Sequence, residues 1–122
     1  MDITRTNFKL LNEDEYITMT KGDTLSFGLE LYDESGEALA DDLTSAFFTC
    51  KQNFTDSVNL FQKSLGNGIT KADDGVYIVR IAPEDTSGAK AGKYFYDLQI
   101  SIDSDVFTIL KGVLEIEQDV TI

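Results

Sequence analysis

The stretch from Gly92 to Ile102 reads Gly-Lys-Tyr-Phe-Tyr-Asp-Leu-Gln-Ile-Ser-Ile, with Tyr94, Tyr96, Leu98, Ile100 and Ile102 at every second position. Lys93, Asp97, Gln99 and Ser101 alternate with them. A period of two belongs to a strand with one face in a core and the other in water, and it rules out a helix here. Strands of a parallel sheet are covered on both faces and read as unbroken apolar runs, so this alternation predicts an antiparallel, half-buried sheet. The rest of the chain must supply partners for it.

The same period recurs upstream. Residues 16–20 are a short β-branched strand, and Lys21-Gly22-Asp23 turns it into residues 24–32, where Leu25, Phe27, Leu29 and Leu31 share one face. Asp33-Glu34-Ser35-Gly36-Glu37 is a turn by composition, and Leu39 and Leu43 are expected to pin the long connection after it to the core. In residues 45–52 the inward set is Ala46, Phe48 and Cys50, because the other parity would bury the ammonium of Lys51. Residues 58–65 read as a weaker edge strand, its pattern broken by Gln62 and Lys63. Ile69 lies between two turn sequences, and residues 76–82 form a strand with Tyr77, Val79 and Ile81 inward. Pro83 suits the first position of a single helical turn over residues 83–87.

The last strand, residues 106–117, places Val106, Thr108, Leu110, Gly112, Leu114 and Ile116 on one face. Only Asp103-Ser104-Asp105 separates it from the central strand, so the two form a hairpin. Pairing Ile102 with Val106 sets Asp97 opposite Lys111 and Tyr96 opposite Gly112, and a shift of two residues loses the charge pair.

About seven strands with turns at short intervals predict an all-β, two-sheet antiparallel sandwich. Before the central strand, the run from Pro83 to Gly92 leads into Tyr94, with Tyr96 two positions on. An immunoglobulin-like sandwich carries a tyrosine at this corner, its hydroxyl bonded to upstream backbone, and a core residue two positions later. Residues 16–122 are therefore expected to form one immunoglobulin-like domain, and residues 1–15, which show no clean period, an irregular segment.

Several function classes lose ground on composition. With 22 acidic and 10 basic residues the net charge is -12, which repels nucleic-acid phosphate and anionic membrane. No apolar run suggests a signal peptide or a membrane span, which predicts a soluble chain. The single cysteine, Cys50, excludes an internal disulfide. The chain has no histidine, the usual general base and a common metal ligand, so neither an enzyme nor a cofactor is expected. Asp41-Asp42, Asp73-Asp74-Gly75 and Asp103-Ser104-Asp105 lack the spacing of a calcium loop and read as turns. Cys50 has no histidine to activate it and reads as a small buried hydrophobe.

Taken in order, Lys21-Gly22-Asp23-Thr24, the turn from Asp33 to Gly36, Asp42-Leu43-Thr44, Ala82-Pro83-Glu84-Asp85-Thr86, the run from Ala91 to Gln99, and Asp119-Val120-Thr121 resemble one group. It is the small immunoglobulin-like proteins of tailed bacteriophages and prophages, similar to the N-terminal domain of the baseplate upper protein family. The resemblance covers roughly residues 16–121, and its motifs are turns and corners. It implies a structural protein of the virion, tail or baseplate associated, made in a bacterial cytoplasm, with other phage structural proteins or a second copy as partner. No catalytic residue carries across. The alternative is a carbohydrate-binding or adhesive sandwich, for which Tyr32 and the aspartate loops are the hint.

With the register above, the outward face of the final hairpin carries Phe95, Phe107, Ile109 and Val113, more apolar surface than a solvated face usually shows. Two readings stay open. Either residues 1–15 fold over the patch, bringing Phe8 and Leu10 into contact, or the patch is a protein interface. Tyr94 is expected to be an anchor of the corner and no part of that interface.

Overall fold

Half-buried strands must cover their apolar faces with one another, and here they do so as two layers cut from a single hydrogen-bonded sheet. The computed structural model describes residues 16–33, 35–53, 55–73 and 75–118, and the backbone alone of 7–10. Among the described residues nine strands appear in chain order: β1 Asn7–Leu10, β2 Tyr16–Thr20, β3 Leu25–Tyr32, β4 Ser45–Lys51, β5 Phe61–Leu65, β6 Gly68–Asp73, β7 Val76–Ile81, β8 Gly92–Ile102 and β9 Asp105–Glu117. The helical turn α1, Pro83–Thr86, joins β7 to β8, with Pro83 at its start.

The spatial order is β1-β3-β7-β6-β5-β4-β8-β9-β2. Only two residue pairs join β5 to β6, Ser64 to Gly68 and Leu65 to Ile69, and there the chain passes from one layer to the other. The layers β1-β3-β7-β6 and β5-β4-β8-β9 follow the A-B-E-D and C′-C-F-G orders of an immunoglobulin domain. Two contacts depart from the antiparallel rule: β5 with β6, and β2 with β9.

The inward faces meet in one core. Phe48 is fully buried at its centre, with ring centroids 5.4 Å from Phe27, 6.1 Å from Phe61 and 5.0 Å from Tyr96. Leu39 and Leu43 are buried as expected, and the Leu43 amide reaches the Tyr77 hydroxyl at 3.4 Å. Gly75 closes the turn before β7 at φ +73°, where a Cβ would stand 2.6 Å from the Leu31 carbonyl oxygen, so a side chain there is excluded on both counts.

Four expectations need correction. Residues 1–15 are not wholly irregular, since residues 7–10 pair antiparallel with β3, while the rest of that segment lies outside the described residues. Strand β6 stands where the sequence predicts only turns around Ile69, because Gly66-Asn67-Gly68 punctuates it and only Ile69 of its residues is buried. The edge strand begins at Phe61, with Val58 left exposed in the preceding loop. Its Lys63 lies opposite inward Phe48 and reaches Asp85 of α1 at 2.6 Å, which satisfies the charge that breaks the pattern.

The fourth correction concerns the final hairpin. The expected pairing holds from Gly92 with Ile116 to Leu98 with Leu110, then a bulge leaves Ile109 unmatched, and Gln99 pairs with Thr108. Beyond it Phe107 lies opposite buried Ile100, and Asp103-Ser104 make a two-residue turn with Asp103 at φ 56°. The shift exposes Val106 and Thr108 and packs Phe107 and Ile109 against the core. Larger apolar side chains gain more from leaving water, which favours the bulge over regular alternation.

Candidate functional site

Five strands, β5-β4-β8-β9-β2, turn a common face away from the core. Register places its side chains in rows across the strands. One row runs Lys51, Phe95, Val113 and Tyr16; a second runs Gln62, Thr49, Asp97 and Lys111; a third runs Ser64, Phe47, Gln99 and Thr108. Phe47, Phe95 and Val113 are half-buried, and Tyr16 is 39% exposed.

Of the four expected interface residues, the structure brings Phe95 and Val113 together on this face. Phe107 and Ile109 belong to the core side, for the bulge turns them inward. Tyr16, Phe47 and, at the far end of β9, Val106 complete the apolar part of the face. Phe47 was legible as outward from the parity of Ala46, Phe48 and Cys50, but its place beside β8 was not. Tyr16 was hidden because a parallel pairing of β2 with β9 leaves no turn signal.

The face has two halves of different shape. Over β8, β9 and β2 it presents Phe95, Val113 and Tyr16 in one row. The Tyr16 hydroxyl donates to a Glu115 carboxylate oxygen, and that bond, more than burial, raises its pKa. Over β5, β4 and β8 the face is a trough of about 550 Å³, walled by the loop that carries Ser57 and Asn59 and floored by Phe47, Thr49, Lys51, Gln62, Phe95, Asp97 and Gln99. There the Gln62 amide donates to the Thr49 hydroxyl at 3.0 Å.

The backbone of residues 7–10 is engaged at the edge of β3, in the other layer. The side chains of Phe8 and Leu10, expected as one possible cover for the patch, lie outside the described residues. Tyr94 is buried, and its hydroxyl donates to the Lys90 carbonyl oxygen at 2.8 Å.

The other singled-out groups have structural surroundings. Cys50 is fully buried, and desolvation pushes its thiol up to about 12, away from the reactive thiolate. Asp42 pairs with Lys71. Asp33 accepts from the Ser35 hydroxyl and from the Ser35 and Glu37 amides, which lowers its pKa and fixes the turn. Tyr32 is half-buried and donates to Glu30. Asp74 lies outside the described residues. Among the described residues no three histidine, cysteine, aspartate or glutamate side chains gather as a metal site would require.

No protein-family model matches the sequence, and no curated protein matches it. Solved structures do. The chain aligns over 93% of its length with part of an endo-beta-1,4-mannanase from Thermotoga petrophila, at TM-score 0.60 and 9% identity. It spans about a fifth of that enzyme's length, 20%. The Lin-41 filamin domain is similar over 91% of this chain and 92% of its own, at TM-score 0.51 and 13% identity. Fibronectin(III)-like modules of Clostridium thermocellum CbhA align over 93% of this chain and 47% of theirs, at TM-score 0.50 and 10% identity. The fold is immunoglobulin-like. At such low identity the likeness extends to the fold alone, and fold leaves function to the site.

Proposed function

We propose that the chain is a non-enzymatic structural and protein-binding module of a tailed bacteriophage or prophage particle, tail or baseplate associated. It docks on another protein of the particle through the β8-β9-β2 half of the outward face. The observation that carries this reading is the row Phe95, Val113 and Tyr16, three apolar or aromatic side chains in register on neighbouring strands of the face turned away from the core. Contiguous apolar surface that carries aromatic side chains is where binding free energy concentrates. The phage setting draws its support from the ordered sequence resemblance over roughly residues 16–121.

Immunogold labelling of particles released by prophage induction from the encoding strain tests both parts. Label on tails is the expected result, and unlabelled particles would overturn the phage setting. Complementing the strain with Tyr16→Ser plus Val113→Lys should remove the label at an unchanged melting temperature. Retained label would overturn the docking face, and sedimentation of the purified chain distinguishes self-association from docking on a different protein.

A further inference from the structure

The trough over β5, β4 and β8 differs from the flat row beside it in both shape and chemistry. We propose that it binds an uncharged oligosaccharide, an inference that rests on the reading of this sheet face as the working surface.

Backbone chemistry limits the occupant first. Strands β4 and β8, which form the centre of the floor, are paired on both sides, so their amides and carbonyls are engaged with neighbouring strands, while β5 meets β6 only at Ser64 and Leu65. An extended peptide lying over β4 and β8 therefore finds no edge to pair with, and its own backbone polar groups would be left to scattered side chains. A sugar has no such obligation. Its hydroxyls each donate and accept, and its C–H faces are apolar.

The lining matches those two properties. Phe47 lies level with Gln99 and Phe95 level with Lys51, so the rings stand four residues apart along the strands. At about 3.3 Å per residue that separation is roughly 13 Å, a span for several sugar rings in line. Between the rings lie Thr49 and Asp97, with Gln62 beside them. The bond from Gln62 to Thr49 orients both side chains before a ligand arrives. Ser57 and Asn59 supply further hydroxyl and amide groups from the wall. A volume of about 550 Å³ with aromatic surfaces and a few placed polar groups falls within the ordinary range of ligand sites.

Charge narrows the class. Lys51 and Asp97 are the only ionised groups of the lining among the described residues, and they cancel. A polyanionic glycan would gain nothing from the trough and would meet the field of a chain carrying -12. An uncharged chain meets neither obstacle.

The experiment is isothermal titration of the full chain with cello-, manno- and chito-oligosaccharides of tetra- to hexasaccharide length, and with a hyaluronan oligosaccharide as the polyanion. Binding of at least one uncharged probe is expected, weakened about tenfold or more by Phe47→Ala and by Gln62→Ala. Gln62 is exposed, so its variant remains decisive if Phe47→Ala fails to fold. Binding should survive Tyr16→Ser plus Val113→Lys, which separates this site from the protein-docking row. No binding to any uncharged probe, binding to hyaluronan alone, or affinity unchanged in the Gln62→Ala chain would each overturn the proposal. If the saccharide binds while the docking row proves inert, only the protein-binding reading falls.

Discussion

The inner and outer faces of the β5-β4-β8-β9-β2 sheet carry similar aromatic side chains under opposite constraints. Inside, Phe48, Tyr96, Leu98, Leu110 and Leu114 are each 2% exposed or less, and every one touches a common core. Outside, Phe47 and Phe95 are half-buried among threonine, glutamine, lysine and aspartate. Inward aromatics stabilise the fold by leaving water, whereas the outward ones keep part of their apolar surface in water. The same residue type one position along a strand therefore fills the core at Phe48 and stays half-buried on the outer face at Phe47, where the proposed saccharide would meet it.

The sharpest break of that contrast is Phe48→Ala. Phe48 is fully buried against three rings, so its truncation should cost about 3–5 kcal/mol by chemical denaturation. A loss no larger than that of a surface change would place the centre of the core elsewhere.

Next in size is the bulge. Phe107→Ser should cost about 1–2 kcal/mol, since its ring packs on the core, while Val106→Ser, at a position 58% exposed, should cost under about 0.5 kcal/mol. Regular alternation without the bulge would reverse the order.

Tyr94→Phe should cost about 1 kcal/mol, one hydrogen bond to the Lys90 carbonyl. An unchanged denaturant midpoint would remove Tyr94 from the corner. Cys50 should resist thiol reagents in native buffer. Its folded pKa is raised, so its contribution is present below the unfolded value of about 8.5 and is lost as pH rises toward about 12. The stability of wild type should therefore fall toward that of Cys50→Ala across this alkaline window, as followed by denaturant midpoints. A constant difference between the two would contradict the burial.

These comparisons also mark where sequence reading worked. Alternation is a statement about which side of a strand meets the core, so it located the inward residues of β3, β4, β7 and β8 and the corner beside Tyr94. Pairing partners were legible only where a short connection forced them, as between β8 and β9. The register failed at Gln99, because an extra residue on β9 satisfies two apolar side chains at the cost of regular pairing, a choice that depends on the core beneath. β6 was missed for a related reason: five of its six residues are not buried, so no apolar period announces it. The trough was illegible because Phe47, Gln62, Asn59 and Asp97 meet only through the pairing of β5, β4 and β8.

Phe95 stands at the boundary of the two halves of the outer face, and a paired measurement on Phe95→Ser tests the division between folding and binding most directly. Denaturant unfolding should show a loss below about 1 kcal/mol, the scale of a strand-surface substitution, while incorporation into particles and oligosaccharide binding both weaken. A loss as large as that of Phe48→Ala, with both binding activities intact, would assign Phe95 to the core and contradict the account.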